Sequence, residues 1–579
     1  MLRSTTFCLI AAVMVLTACD QGPDADTEFT GLAHRYLEAL TSRDPVWATQ
    51  LGDHDHDGVL PDMSLGAHEA WADFNLATRD SLLLIDQSAL SPADRIDYSI
   101  LMEQIDGEIF AVQTLQEHRW NPLHYNPGDA IYSLLARDFA PLPDRLRLVA
   151  ERLMEIPVLL ETARINLDQP PTVFTTTAIT QNRGTINLVM DGLAPYLDLA
   201  PELRPQLAGP RAEAIAALTV HEKWLEEELL PRSTGDFRLG LDKWRQKLRY
   251  SLSSDLTPEE IMTSAEHDLE ETTNRLHEVA LSLYRTRLGE SATDPATLGR
   301  REVIAAVLDD LAQDHPTSET IVQQARDGLV DITDFVREQD LVMVPSEPVE
   351  IIVMPEHQRG MYIAYCDSPG PLEPELPCFY AIAPTPAHWT QERSDSFYRE
   401  YNDYMLQNLS IHEAMPGHYL QINHSNRFEG STPVRAVFSS GTFVEGWATY
   451  SEQLMVEAGW GGAELEMQQL KMRLRLIINA IIDQKIHTAG MTEDEALALM
   501  MEQGFQEEGE ATGKWVRACL TSTQLSTYYV GNMEINGIRR DWQERAGPSY
   551  DHRTFHDQLL SYGSPAPKHV RSMLELQAD

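Results

Sequence analysis

The feature that most constrains this fold is a recurring helix-start signal followed by apolar residues at helical spacing. The segment LTPEEI, residues 256–261, shows the signal in full. Thr257 is placed to cap a helix, Pro258 to occupy its first turn and Glu260 to close a capping box. Similar starts occur at two further points, Ser91 with Pro92 and Thr492 with Glu495. The repeated pattern predicts a mainly α fold with a large helical body.

One region has the composition of strands instead. The runs VEIIVM (349–354), MYIAY (361–365) and CFYAIA (378–383) are rich in β-branched and aromatic residues and are separated by proline and glycine. They predict a small antiparallel sheet that precedes the helix carrying the chemistry, and helical spacing returns over residues 396–409. The edge of such a sheet would hold an extended peptide by main-chain hydrogen bonds.

The first residues indicate export. A short basic start precedes a ten-residue apolar run at 7–16, which is too short for a membrane span of about 20 residues. The closing LTAC resembles a bacterial lipobox, which implies cleavage before Cys19 and a lipid on that cysteine. An ordinary signal peptide with a chance cysteine is the alternative. We therefore expect a lipid anchor on the periplasmic side, and Asp20, which resembles the signal for retention at the inner membrane, favours that membrane.

These signals predict four parts of the chain. Residues 1–18 form the signal peptide, 19–28 a lipid-anchored tether, 29–340 an N-terminal helical region, and 341–579 a catalytic region with the small sheet. We expect the last two to form one compact unit.

The charge limits the partners. Lys and Arg number 45 against 89 Asp and Glu, a net charge of −44. Nucleic acids and anionic lipid surfaces both require basic patches, so we expect neither as a partner, and membrane contact only through the lipid. No protein partner is indicated. Attraction of cationic peptides and simple solubility are both adequate reasons for the acidity.

Two cysteines flank a proline-rich loop in a chain expected to reach an oxidising compartment. Cys366 and Cys378 lie twelve residues apart, which predicts a disulfide, with two buried free thiols as the alternative. Cys519 would then be unpaired and buried.

The segment IHEAMPGH, residues 411–418, carries the first half of a candidate zinc site. Its histidines, His412 and His418, are six residues apart, whereas the zinc-peptidase pattern H-E-x-x-H places them four apart on one helical face. Six residues leave the second histidine about 120° out of line on a regular helix. Pro416 and Gly417 can bulge the helix, and the zinc interpretation requires that they bring His418 back.

The segment FVEGWATYSE, residues 443–452, carries the second half. Glu445 follows His418 by 27 residues, and Glu452 lies two helical turns further along the same face. One carboxylate would bind zinc and the other would hydrogen-bond a ligand histidine. Two histidines, one glutamate and an open fourth position are typical of catalytic zinc. A chance H-E pair is the alternative in a chain with 19 histidines.

These two motifs, HEAMPGHYLQ and FVEGWATYSE, resemble the bacterial domain-of-unknown-function family 885, whose signature is H-E-x-x-P-G-H-H-L-Q followed by E-G-W-A-x-Y-x-E. The resemblance extends from about Phe29 to near the C-terminus. The family is grouped with H-E-x-x-H metallopeptidases and is similar in plan to thimet-oligopeptidase-like enzymes, whose F-V-E segment supplies a third zinc ligand. This sequence departs from the family signature at Tyr419, where the family usually has a second histidine.

The resemblance implies a role for each residue. One Zn²⁺ would be held by His412, His418 and Glu445, and Glu413 would activate zinc-bound water to hydrolyse peptide bonds in short peptides. Tyr528, in a segment similar to the family's Q-A-x-x-Y-x-x-G, would stabilise the oxyanion. The alternatives are a metal-dependent hydrolase of another amide and a non-catalytic binding lipoprotein.

Overall fold

Helices form most of the chain in the computed structural model, which describes residues 24–289, 292–354 and 363–576. The predicted signal peptide, Cys19 and Asp20 lie outside the described residues, as do residues 361–362 of the predicted second strand. Among the described helices, none is long and apolar enough to cross a membrane.

Thirteen of the described α-helices precede the sheet. They are α1 (Ala25–Arg43), α2 (Pro45–Leu51), α3 (Leu65–Leu82), α4 (Pro92–Phe110), α5 (Gly128–Ala136), α6 (Leu142–Asn166), α7 (Thr172–Asn187), α8 (Ala194–Leu199), α9 (Arg204–Trp224), α10 (Gly240–Leu252), α11 (Pro258–Arg287), α12 (Arg300–Leu311) and α13 (Ile321–Glu338).

The remaining described helices follow the sheet. They are α14 (Gln391–Glu400), α15 (Asp403–Glu413), α16 (His418–Ser425), α17 (Val434–Val437), α18 (Gly441–Glu457), α19 (Gly462–Ala489), α20 (Glu493–Glu502), α21 (Glu508–Thr521), α22 (Ser526–Ala546), α23 (His552–Leu560) and α24 (Pro567–Met573).

The predicted helix starts are confirmed. The Thr257 hydroxyl accepts from the Glu260 backbone N–H, and a Glu260 carboxylate oxygen accepts from the Thr257 N–H at 2.8 Å, which completes the capping box of α11. Thr492 and Glu495 form the same capping box at the start of α20, and the Ser91 hydroxyl accepts from the Asp94 N–H at the start of α4. The mainly α fold class is confirmed, and at these three starts a side-chain cap satisfies one of the first free backbone N–H groups.

The small sheet has three described strands, β1 (Glu350–Val353), β2 (Ala364–Asp367) and β3 (Phe379–Ile382), in the order β1-β3-β2. The prediction of an antiparallel sheet is wrong for one pair, since β1 and β3 are parallel while β2 and β3 are antiparallel. The strands alternate in direction along the chain, and β3 inserts between the other two. Strand composition identifies strands but carries no information on their spatial order.

A break divides the helix expected over residues 396–409. The side chain of Asn402 accepts from the N–H groups of Tyr404 and Met405, so α14 ends at Glu400 and α15 starts afresh at Asp403. The new start fixes the direction of α15, which carries His412.

The site helices and the sheet share one hydrophobic core. Ile351 and Tyr380 of the sheet belong to the same buried cluster as Ile411 of α15 and Phe443 and Trp447 of α18. Such a packed core gives the elements a fixed mutual arrangement.

The predicted N-terminal and catalytic regions share cores elsewhere. Phe29 and Tyr36 of α1 belong to one buried cluster with Val434 and Val437, and α11 packs along α19. The division at residue 340 stays a prediction.

Candidate metal centre

Pro416 and Gly417 lie in a short connection between two helices. α15 ends at Glu413 and α16 begins at His418. The prediction of a bulge within one helix is therefore wrong, because the chain forms two separate helices here. The Gly417 N–H donates to the Ile411 carbonyl at 2.9 Å. A Cβ on Gly417 would lie 1.9 Å from the carbonyl oxygen of His412, so the chain can turn this tightly only with glycine.

A tryptophan from another helix holds the connection in place. The buried Trp447 of α18 donates from Nε1 to the Pro416 carbonyl at 2.8 Å, and the Met415–Pro416 peptide is cis. Because Trp447 follows Glu445 by two residues, the same helix positions the break and contributes a side chain to the site.

Three of the predicted side chains meet beside this break. Glu445 Oε2 lies 3.5 Å from Nε2 of both His412 and His418, and the two imidazole rings are nearly perpendicular with centroids 4.7 Å apart. One ligand atom from each of the three residues lies within 4.8 Å of the others. The six-residue spacing of the histidines thus brings them together because the helix stops between them.

Glu452 lies on the far side of His412. Its Oε1 is 2.7 Å from His412 Nδ1, and its Oε2 accepts from Asn408 Nδ2 at 2.8 Å. The Glu452 carboxylate is nearly fully buried. A carboxylate that is hydrogen-bonded to Nδ1 keeps the proton on that nitrogen. The lone pair of Nε2 is then directed toward His418 and Glu445.

The sheet contacts Glu413. The backbone N–H of Cys366 in β2 donates to Glu413 Oε2 at 2.9 Å. Burial raises the pKa of Glu413, and the nearby Glu445 carboxylate raises it further, against the opposing effect of the two histidines. A carboxyl group with a raised pKa is suited to accept and return a proton.

Glu445 has a partly buried side chain with one buried, unsatisfied oxygen. Burial opposes its ionisation, but the nearby His412 and His418 outweigh this and lower its pKa strongly. Its Oε2 is shielded from solvent and has no well-formed hydrogen bond within the described residues. Such an atom carries a high desolvation cost unless a cation shares it.

A cavity of about 780 Å³ opens beside these residues, and His412, Glu413 and Tyr528 line it. Tyr528 lies in α22, and its hydroxyl accepts from Arg517 Nη2 at 3.0 Å. Burial raises the pKa of Tyr528, and the Glu445 carboxylate adds to the increase, so the hydroxyl keeps its proton at neutral pH.

The two loop cysteines lie close together. Their Sγ atoms are 3.6 Å apart, and both residues are thiols in the structure. Cys366 belongs to β2 and Cys378 directly precedes β3, so the turn of the hairpin brings them together. The disulfide stays a prediction. Cys519 is buried, as expected.

Several residues around the site were not found from the sequence. Asn408 lies one helical turn before His412, so helical spacing was a usable signal for it. The backbone N–H of Cys366 and the side chains of Lys514 and Arg517 come from distant segments, and only the folded chain brings them to the cavity.

The fold and the site define a class: a mainly helical protein with a His-His-Glu cluster at a helix break, open to a cleft. The chain belongs to the DUF885 family of bacterial proteins of unknown function, whose sequence profile matches residues 45–574. No match was found among the curated proteins.

Two solved structures are similar over nearly the whole chain. A protein from Shewanella oneidensis, described as a presumed lipoprotein of unknown function, is 29% identical with a TM-score of 0.81, covering 94% of this chain and 99% of its own. A protein from Colwellia psychrerythraea, described as a presumed lipoprotein, has 18% identity and a TM-score of 0.78, covering 96% and 100%. The second likeness shows the fold alone.

Proposed function

We propose that this protein is a zinc-dependent peptidase acting on short peptides outside the cytoplasm. The observation that carries the proposal is the convergence of two imidazole Nε2 atoms on one buried carboxylate oxygen, that of Glu445, beside an open cavity. Glu413, which follows the first histidine directly, lies next to the cluster and lines the same cavity.

The donor set fits zinc. Ligands about 2.0–2.1 Å from a tetrahedral zinc ion lie about 3.3 Å from one another. The two nitrogen–oxygen separations of 3.5 Å are close to that value. The unsatisfied Oε2 of Glu445 would gain the cation that its burial requires. Three protein ligands leave a fourth position open, as catalytic zinc sites do.

A side chain of this protein, Glu413, would make the proton transfers of the reaction. Zinc, when bound, polarises a carbonyl and acidifies water at neutral pH. Glu413 would take a proton from the attacking water and return it to the leaving amine. The Cys366 N–H holds one carboxylate oxygen of Glu413, so that its orientation is set before substrate arrives.

Tyr528 would stabilise the developing oxyanion. Its hydroxyl lines the same cavity as Glu413 and keeps its proton because burial raises its pKa. Arg517 donates to the tyrosine oxygen, which leaves the hydroxyl proton free to be donated to substrate. A preoriented donor of this kind contributes about 10²–10³ in rate.

The sheet would orient the peptide. Among the described strands β2 pairs with β3 alone, so one edge of β2 has no strand partner. The Cys366 N–H contacts Glu413 from β2, and Ile363 and Ala364 line the cavity. An extended peptide added along this edge would bring its backbone past Glu413.

A lipid on Cys19 would hold the protein outside the cytoplasm. The supporting observations are the signal-like sequence before Cys19 and the similar protein from Shewanella oneidensis described as a presumed lipoprotein. Retention at the inner membrane through Asp20 stays a prediction.

The test combines metal content with peptide cleavage. We expect protein purified without chelator to contain about one zinc per chain and to cleave members of a mixed peptide pool read by mass spectrometry. Glu413→Gln should retain zinc and lose cleavage. Glu213→Gln, which changes an exposed carboxylate on α9 outside the cavity, is the matched control and should remain active. Wild-type protein that binds no zinc would overturn the proposal. Zinc without cleavage of any peptide would instead favour hydrolysis of another amide or a binding role.

A further inference from the structure

The cavity beside the metal centre has a cationic wall. Its lining includes Arg475 of α19 and Lys514 and Arg517 of α21, although the chain as a whole carries a net charge of −44. Positive side chains inside a cleft of an acidic protein are a local feature that the overall charge does not require.

One of these cations is already neutralised. Arg475 Nη2 donates to Glu400 at 2.8 Å and to Glu510 at 2.7 Å, and Lys471 shares Glu400. Two cations and two carboxylates thus form a balanced, mostly buried network. Within this network Glu400 and Glu510 are already paired with Lys471 and Arg475.

The other two cations, Lys514 and Arg517, have no such partner among the residues that the structure describes. Within the part of the chain that the structure describes, neither Lys514 nor Arg517 forms an ion pair with a carboxylate. Among the described residues, the hydrogen bonds that Arg517 donates go to uncharged groups, Gln524 Oε1 at 2.8 Å and the Tyr528 hydroxyl at 3.0 Å. The two cations are three positions apart on α21, so both lie on one helical face, the face that lines the cavity.

We propose that Lys514 and Arg517 bind a carboxylate group of the peptide substrate close to the bond that is cut. The inference rests on the proposed peptidase function. Arg517 contacts the hydroxyl that would meet the scissile carbonyl, and one extended residue spans about 3.3–3.6 Å. The bound carboxylate therefore belongs to a residue within about two positions of the scissile bond.

A single carboxylate fits this wall better than a larger anion. Two unpaired cations supply the charge, and a planar guanidinium matches carboxylate geometry. The exposed Glu507 and Glu508 line the mouth of the same cavity and disfavour polyanions such as nucleotides. Burial lowers the pKa of Lys514 to about 8, and the charges of Arg475 and Arg517 lower it as well, against the opposing charge of Glu510.

Two sources share this chemistry, the free C-terminus of a peptide and an acidic side chain. The experiment separates them with two peptide pairs. The first pair is N-acetyl-Ala-Ala-Phe as free acid and as amide. The second is N-acetyl-Ala-Glu-Ala amide and its Gln counterpart. Binding is measured by calorimetry on zinc-loaded Glu413→Gln protein, which is expected not to cleave them.

We expect at least tenfold tighter binding of the carboxylate member of one pair, which identifies the source. Adding Lys514→Met should abolish the preference while the uncharged member binds as before. Arg517→Gln provides a second, independent variant. Lys243→Met, which removes an exposed lysine on α10, is the matched control and should keep the preference.

Equal binding within both pairs would overturn the inference, as would a preference that survives Lys514→Met and Arg517→Gln. Failure of the proposed function gives a different result. In that case wild-type protein cleaves no peptide, yet the carboxylate preference and its loss in the variants are still observed.

Discussion

Gly446 and Gly531 face each other where α18 crosses α22. A Cβ on Gly446 would lie 2.5 Å from the carbonyl carbon of Gly531, and a Cβ on Gly531 would lie 2.7 Å from Gly446 Cα. The two backbones are therefore in direct contact. Glu445 directly precedes one glycine, and Tyr528 lies one turn before the other, so this contact sets the distance between a proposed metal ligand and the proposed oxyanion donor.

Alanine at either glycine should push the helices apart. We expect Gly446→Ala or Gly531→Ala to lower the free energy of unfolding by about 1–3 kcal/mol, because the extra methyl group overpacks a backbone contact. Peptide cleavage should fall by more than the loss of folded protein explains. Urea unfolding and kcat measured on the folded fraction check both effects. Gly184→Ala, on an open face of α7, should leave activity unchanged. Similar losses in this control would show that the effect does not depend on the contact between α18 and α22.

Gly417 should be irreplaceable for metal binding. A Cβ there would lie 1.9 Å from the His412 carbonyl oxygen, so Gly417→Ala must displace His412 or His418. We expect circular dichroism to show an intact helical body and zinc content to fall well below one per chain. Normal zinc content in this variant would show that the break tolerates a side chain and that our account of the turn is wrong.

Glu452 should tune metal affinity through His412. Glu452→Gln keeps the size of the side chain and removes the charge that holds the Nδ1 proton. We expect zinc affinity, measured by competition with a chelator, to fall about 10–100-fold. His34→Ala, which removes an exposed histidine on α1, should have no effect. Unchanged affinity in Glu452→Gln would rule out the positioning role.

Tyr528→Phe should lower kcat rather than raise KM. Loss of one preoriented donor to the oxyanion reduces kcat by about 10²–10³, while zinc content stays constant. The matched control is Tyr529→Phe, because the neighbouring hydroxyl donates to Asp268 at 3.1 Å instead. Equal kcat values for the Tyr528→Phe protein and wild type would remove Tyr528 from the mechanism.

Carboxylate binding should weaken at alkaline pH. Lys514 has a pKa lowered to about 8 by burial and by Arg475 and Arg517, with Glu510 opposing. Its ammonium is therefore charged below about pH 8 and neutral above it. We expect the acid-over-amide preference of Glu413→Gln protein to be constant from pH 6.5 to 7.5 and to fall toward pH 9.5. The Lys514→Met variant should show no such dependence, and a parallel pH profile in both proteins would assign the titration elsewhere.

Local signals in the sequence predicted the helices and strands. Thr257, Ser91 and Thr492 begin helices because a side-chain oxygen satisfies neighbouring backbone N–H groups, an interaction complete within four residues. The strands of the sheet were predicted, and the antiparallel pairing is right for β2 with β3 and wrong for β1 with β3. Its order depends on which strand inserts between the others, and residues far apart in the chain determine that.

The candidate site, like the sheet, was predictable from the sequence in part. The motifs by themselves determined the residue types, His412, Glu413, His418, Glu445 and Glu452, and the fact that a regular helix cannot align the two histidines. Only the tertiary structure decided how the conflict is resolved. The helix ends at Glu413 because Gly417 can turn against the His412 carbonyl and Trp447 binds the Pro416 carbonyl. The cationic wall was likewise decided by folding, because helix packing brings α21 to the cavity and no local pattern encodes a contact between distant segments.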